Sequence, residues 1–164
     1  MAINDLFHIN LSVSDLERSS KWYCDVLGME VIRRVENTSK EVGLMMNLQG
    51  NHTKTAILKK PAQAGFYIEM TEWLSPKGID LPVGGNNGIG AYHFGFLVDD
   101  IDAEYARMKG MGVRFKSPPI TVASGVRACY FFDPDNILLE IAQMPKSYSA
   151  YLGPSSRGPS SARS

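Results

Sequence analysis

The sequence lacks the marks of several protein classes. No apolar run approaches the ~18–20 residues that a membrane-spanning helix needs. Lysine and arginine number 17, as do aspartate and glutamate, so the basic excess typical of nucleic-acid-binding proteins is missing. The chain opens without the basic and then apolar stretches of a secretory signal. These absences exclude nucleic acid and membranes as expected partners and predict a cytoplasmic protein that binds a small molecule.

Cysteine is scarce as well. The chain has two cysteines, Cys24 and Cys129, far apart and outside any Cys-x-x-Cys pair. A disulfide framework is therefore excluded, and reduced thiols in an intracellular protein fit better than one long-range disulfide. We interpret both residues as small packing side chains.

The length of 164 residues predicts one domain, residues 1–145, built from two similar halves. The halves span about 7–74 and 91–143 and are joined by a Gly-, Pro- and Asn-rich linker over 75–90. Residues 146–164 are rich in Ser, Gly and Pro and poor in apolar residues, which predicts a disordered tail.

Each half begins with a predicted strand in which apolar residues recur with period 2. His8 in the first strand and His93 in the second occupy matching positions. In the first half Ser14 is the predicted cap of a helix over 15–27, and in the second Asp99 or Asp100 caps the corresponding helix. The predicted strands that follow are residues 30–35, 42–47, 55–59 and 66–71, and then 113–115, 126–132 and 137–142. The pattern predicts an α+β fold of two βαβββ modules, in which one face of each sheet packs under the helix and the other face forms a cavity.

Each half also places one carboxylate inside an apolar strand, Glu69 in the first and Glu140 in the second. Such a carboxylate is costly unless it is paired, hydrogen-bonded or bound to a cation. By strand parity His8 and His93 lie on the less apolar face of their strands. Two imidazoles and two carboxylates would form a ligand shell suited to one divalent ion, Zn, Ni, Co, Mn or Fe(II).

A second interpretation places these four residues in the protein core. Each histidine would be hydrogen-bonded there, and each glutamate would form an ion pair with an arginine such as Arg33, Arg34 or Arg127. That coincidence would have to occur twice at matched positions, so the sequence favours the metal site.

Three segments, residues 15–31, 92–115 and 125–143, resemble the vicinal oxygen chelate superfamily of glyoxalases, bleomycin resistance proteins and dioxygenases. The resemblance covers about 7–143. It implies a sheet of two βαβββ modules cupped around a divalent metal ion. The ligands that it implies are His8, Glu69, His93 and Glu140, a set that looks most like that of glyoxalase I and is similar to that of methylmalonyl-CoA epimerase.

The resemblance further implies an isomerase, an epimerase or a lyase of the lactoylglutathione lyase type, and commonly a homodimer. In such an enzyme the metal polarises a substrate carbonyl and stabilises an enolate-like intermediate. Glu140 is the first candidate for the catalytic base and Glu69 the second. Ser12 stands where bacterial glyoxalase I typically has an arginine, which argues against glutathione binding. The alternatives are an Fe(II)-dependent extradiol-type dioxygenase and a resistance-type protein that sequesters a small molecule.

Several apolar residues are candidates for the lining of a substrate pocket, with plain core packing as the alternative. They are Met45, Tyr67, Trp73 and Phe131. The third histidine, His52, lies in a polar stretch and is interpreted as an exposed bystander.

Overall fold

The computed structural model describes residues 6–61, 65–79 and 92–146. The predicted tail, apart from Lys146, and most of the predicted linker lie outside these residues. The chain divides into two compact units. Unit 1 holds the residues up to Tyr92 together with Phe132–Ile137, and unit 2 holds His93–Phe131 and the residues from Leu138 onward. No helix in the described ranges is long and apolar enough to span a membrane.

Unit 1 contains a four-stranded sheet and two helices. In chain order its elements are β1 His8–Val13, α1 Leu16–Leu27, β2 Glu30–Asn37, α2 Lys40–Met46, β3 His52–Lys59 and β4 Tyr67–Ser75. The strand order is β1-β4-β3-β2, with β1 parallel to β4 and the other neighbours antiparallel. Side chains on one face of the sheet alternate into the buried core, among them Leu11, Ala56, Leu58, Ile68 and Met70. The opposite face, which carries His8 and Glu69, is the open face.

Helix α1 begins one residue later than predicted, because Asp15 and not Ser14 caps it. The Asp15 side chain accepts a hydrogen bond from the Arg18 N–H at 3.0 Å, as an N-cap residue does. Ser14 instead directs both its hydroxyl and its N–H to the Asp135 carboxylate. Gly28 ends the helix at a φ of 61°, a left-handed conformation that favours glycine.

Residues 42–47 were predicted as a strand, and this prediction is wrong because most of them lie in helix α2. Local capping explains the helix. The Ser39 hydroxyl accepts a hydrogen bond from the Val42 N–H at 3.2 Å, and Asn47 closes the helix at a left-handed φ of 53°. Caps at both ends satisfy the backbone groups that a short helix leaves free, so the helix forms despite the apolar run.

Unit 2 repeats the arrangement with shorter strands. The elements of the second half of the chain are β5 Phe94–Leu97, α3 Ile101–Gly110, β6 Arg114–Phe115, β7 Ile120–Thr121, β8 Arg127–Phe132 and β9 Leu138–Gln143. The strand order is β5-β9-β8-β6, with β7 also paired to β8. β5 is parallel to β9 and β7 is antiparallel to β8, so this sheet is mixed too. The predicted α+β class with two strand–helix–strand repeats is confirmed, and β7 is an element that the sequence did not predict.

The turn between β8 and β9 belongs to unit 1 and is held there by two aspartates. Asp133 is buried, and its carboxylate accepts hydrogen bonds from the Asp135 and Ile137 N–H groups at 2.8 Å and from the Tyr23 hydroxyl at 3.1 Å. Burial raises the pKa of Asp133 to about 6, against the opposing effect of these hydrogen bonds. Burial also raises the pKa of Asp135, but the hydrogen bonds from residues such as Ser14 and Ser19 outweigh it, and the pKa is lowered.

Candidate metal centre

The first histidine and the first predicted glutamate meet on the open face of unit 1. His8 begins β1, and Glu69 lies in β4, where it is the register partner of Asn10. The His8 Nε2 atom lies 3.4 Å from Glu69 Oε2. Both side chains are partly exposed, which leaves them open to a ligand.

The second pair has the same form in unit 2. His93 directly precedes β5, and Glu140 in β9 is the register partner of Gly95. The His93 Nε2 atom lies 3.2 Å from Glu140 Oε2. The Tyr130 ring contacts the His93 ring edge to face, with 5.0 Å between the centroids.

The spacing of the two donors in each pair fits a shared cation. Ligand bonds of about 2.1 Å at tetrahedral or octahedral angles place neighbouring donor atoms roughly 3.0–3.5 Å apart. Histidine nitrogen and carboxylate oxygen are also the donor types that first-row divalent metals accept. In the part of the chain that the structure describes, His, Cys, Asp and Glu form no group of three or more that could hold a metal. Each pair therefore supplies two donors, and the four-ligand shell stays a prediction.

Two of the arginines that the core interpretation required are engaged elsewhere, and the third, Arg33, has no ion pair with a described residue. Arg34 binds Glu17 at 2.9 Å and Arg127 binds Asp102 at 2.5 Å. Across residues 6–61, 65–79 and 92–146, no arginine or lysine forms an ion pair with Glu69 or Glu140. The histidines are thus the observed partners of both carboxylates, which favours the metal interpretation over arginine pairing.

The charge of Glu140 acts on its neighbours in unit 2. Burial raises the pKa of Cys129 to about 11, and Glu140 adds to the shift. Burial and then Glu140 also raise the pKa of Tyr130. The Cys129 thiol is therefore protonated at neutral pH and buried, in keeping with a packing role.

A polar network on the open face of unit 1 was not predicted. The Asn10 amide donates a hydrogen bond to the Thr71 hydroxyl at 2.9 Å, and the Thr71 and Thr55 hydroxyl oxygens lie 3.3 Å apart. The Trp73 indole N–H donates to the Ser12 hydroxyl at 3.2 Å. The signal in the sequence was the alternation of polar residues in β1, β3 and β4, but the partners depend on strand register.

The candidate substrate contacts fall into different environments. Tyr67 and Trp73 are partly buried in β4, at alternate positions with Glu69 and thus on the open face. Met45 is 75% exposed in α2. Phe131 is fully buried and lies 5.6 Å from the Phe115 ring, so it is a core residue and not a substrate contact. The third histidine, predicted to be a bystander, lies 2.6 Å from the Glu36 carboxylate.

Comparison with known proteins identifies the family. Residues 5–141 match the sequence profile of the Glyoxalase/Bleomycin resistance protein/Dioxygenase superfamily. The chain belongs to this superfamily. A lactoylglutathione lyase of Haemophilus influenzae is 31% identical over 151 residues, which are 90% of this chain and 98% of the relative. Both similarities confirm the resemblance that residues 15–31, 92–115 and 125–143 carry.

Two solved structures of this superfamily type show the same fold. A glyoxalase family protein of Bacillus cereus aligns with a TM-score of 0.79 at 20% identity, over 87% of this chain and 95% of that one. The fosfomycin resistance protein FosX of Listeria monocytogenes, in complex with Mn(II) and sulfate, aligns with a TM-score of 0.57 at 23% identity. That alignment covers 89% of this chain and 97% of FosX.

Proposed function

We propose that this glyoxalase-superfamily protein is a divalent-metal-dependent isomerase, epimerase or lyase. Its metal ligands are His8, Glu69, His93 and Glu140, and its substrate is a small compound with neighbouring oxygen atoms, one of them a carbonyl. The observation that carries the proposal is the pair of matched His–Glu contacts, at 3.4 and 3.2 Å, at corresponding places in the two units.

A bound divalent cation would supply Lewis-acid polarisation of the substrate carbonyl and stabilise the charge of an enolate-like intermediate. The remaining chemistry belongs to the side chains. Loss of a proton from the carbon next to the carbonyl requires a base within reach, and a carboxylate is suited to this task. Return of the proton to the same or the neighbouring carbon gives epimerisation, isomerisation or a lyase-type product.

Glu140 is the proposed base, and Glu69 is the second candidate. Gly95 stands next to Glu140 in the sheet, where a Cβ atom would lie 3.4 Å from Glu140 Oε2. The missing side chain leaves the carboxylate room to swing between its histidine partner and a substrate carbon. Glu69 has the amide side chain of Asn10 at the corresponding place.

The names of the relatives support a lyase. This chain itself does not support glutathione as the thiol part of the substrate. The Haemophilus influenzae relative is named a lactoylglutathione lyase, and the Mn(II) complex of FosX supports a divalent ion in this fold. In this chain the Ser12 hydroxyl accepts a hydrogen bond from the Trp73 indole. That position offers no guanidinium to a glutathione carboxylate, so we do not propose glutathione as the substrate. A homodimer is part of the proposal and rests on the family alone.

Metal stoichiometry tests the ligand set. We expect the reconstituted protein to bind about one divalent ion per chain and His8→Ala and His93→Ala each to abolish binding, because each removes one donor of a shared shell. His52→Ala is the matched control, since this histidine pairs with Glu36 outside the predicted set. Isothermal titration with Zn, Ni, Co, Mn and Fe(II) measures all four proteins. Absence of binding, or an unchanged site in either ligand variant, would contradict the ligand set.

Solvent deuterium exchange then tests the reaction. With the metal-loaded protein we expect deuterium to enter the carbon next to the carbonyl of α-hydroxy-ketone, thiohemiacetal or acyl-thioester substrates. Oxygen consumption with catechols and Fe(II), in place of exchange, would select the dioxygenase. Tight binding of an unchanged small molecule without either reaction would select the sequestering protein.

A further inference from the structure

Arg33 shares the open face of unit 1 with the His8–Glu69 pair. The register of the sheet places four residues side by side across β1, β4, β3 and β2, namely Asn10, Glu69, Ile57 and Arg33. Directly paired residues of neighbouring strands point to the same face. Arg33 is therefore two strands away from Glu69, about 10 Å between Cα positions at the usual strand spacing.

A β-bulge turns Arg33 to this face. The register of β2 against β3 shifts between Val31 and Arg33, so that Val31 pairs with Leu58 and Arg33 with the next residue, Ile57. If Ile32 were paired as in a regular strand, Arg33 would share a face with Val31, because alternate residues of a regular strand do. Bulges reorient side chains in this way and occur often beside functional sites.

The adjacent arginine shows the difference in role. Arg34 lies on the opposite face, where its guanidinium donates to Glu17 at 2.9 Å and to Ser20 at 3.0 Å. Arg33 is exposed, and no carboxylate of residues 6–61, 65–79 and 92–146 forms an ion pair with it. One arginine thus anchors helix α1, while the other presents a free guanidinium to the face that carries the site.

From this arrangement we infer that Arg33 binds an anionic group, a carboxylate or a phosphate, at the far end of the substrate. The inference rests on the proposed function and adds the substrate class to it. The oxygenated end of the substrate lies at the His8–Glu69 pair, and its middle crosses the apolar Ile57. The planar guanidinium then receives the anion through two parallel hydrogen bonds, a geometry that fits both carboxylate and phosphate.

Hydroxamates test the inference by binding alone, because they imitate an enolate-like pair of oxygens. We compare the neutral propionohydroxamic acid with succinic monohydroxamic acid, which adds a carboxylate, and phosphonopropionohydroxamic acid, which adds a phosphonate. Affinities for the metal-loaded protein come from isothermal titration calorimetry. We expect at least one anionic probe to bind about tenfold more tightly than the neutral probe, as expected for a charge-assisted pair. The stronger of the two probes identifies the anion.

Arg33→Gln should remove this preference, lowering the affinity of the preferred anionic probe about tenfold while the neutral probe changes less than about twofold. Arg34→Gln is the matched control, with the same charge change on the other face, and should keep the preference. Arg33→Lys should keep part of it, because the charge remains and the planar fork is lost.

Equal affinity of neutral and anionic probes, or an equal loss in the Arg33 and Arg34 variants, would overturn the inference and leave the proposed function standing. Failure of the neutral probe itself to bind would overturn the proposed function. Unfolding temperatures of both glutamine variants confirm that each protein folds.

Discussion

The His8–Glu69 and His93–Glu140 pairs have the same donors in different surroundings. Beside Glu69 stands Asn10, whose amide is hydrogen-bonded to Thr71 in a polar network. Beside Glu140 stands Gly95, which has no side chain. The first carboxylate therefore has a polar side chain as its register neighbour, while the second has a glycine there. This difference supports the proposal that the two matched halves have different roles, with substrate recognition in unit 1 and proton transfer in unit 2.

The largest expected effect separates the two carboxylates. Glu140→Gln should lower the rate of solvent deuterium exchange about a thousandfold, because an amide cannot accept the proton and general bases contribute roughly 10²–10⁴-fold. Glu69→Gln should lower it only about tenfold, because it removes one ligand charge from the proposed metal shell but leaves the base in place. Both rates are measured by proton NMR at saturating metal, with metal content determined in the same samples.

The comparison fails if the two glutamine variants lose the same activity at equal metal content. A larger loss in Glu69→Gln would reverse the assignment of the base. Because glutamine has the shape of glutamate, both variants should fold like the parent protein. Circular dichroism spectra of the two variants and the parent protein provide the control.

The second prediction concerns the pH dependence of the stability of unit 1, which Asp133 should give to this unit and not to unit 2. The pKa of Asp133 is about 6 in the folded protein and about 3.9 in an unfolded chain. Since the folded state holds the proton more tightly, the stabilising contribution of Asp133 is fully present below about pH 4 and is lost as the pH rises through 6. The loss should be about 2 to 3 kcal/mol. Asp133→Asn, which cannot ionise, should abolish this slope.

Tryptophan fluorescence reports the unfolding of unit 1 alone, because the two tryptophans of the chain, Trp22 and Trp73, both belong to it. Urea unfolding at several pH values between 4 and 6 measures the slope. Asp135→Asn is the control, because the lowered pKa of Asp135 gives a contribution of opposite sign that is lost below about pH 4. A slope unchanged in Asp133→Asn would show that burial of this carboxyl does not govern the stability of unit 1.

The sequence predicted the parts of the molecule that depend on local periodicity. Alternation placed His8, and in the same way His93, on the less apolar face of its strand. It failed at α2, where the Ser39 and Asn47 caps outweigh an apolar run. It also missed the role of Arg33, because a bulge changes the parity of every residue after it. Strand register and bulges depend on residues distant in the sequence, so periodicity in one segment does not reveal them.

The smallest expected effect exchanges the neighbours of the two glutamates. Gly95→Asn gives Glu140 the neighbour that Glu69 has, and its Cβ would lie 3.4 Å from Glu140 Oε2, an ordinary contact that the fold accommodates. The added amide should hydrogen-bond the carboxylate and hold it away from the substrate. We expect the exchange rate to fall about tenfold, because a base that is held away from the substrate accepts the proton more slowly. The metal affinity should change less than about twofold.

Asn10→Gly is the reciprocal change. It should leave the exchange rate within about twofold of the parent's, because Glu69 is not the proposed base. If instead Asn10→Gly lowers exchange as much as Gly95→Asn, the side chain beside each glutamate is not what distinguishes the two halves. Their different roles must then come from their bonds to the metal ion.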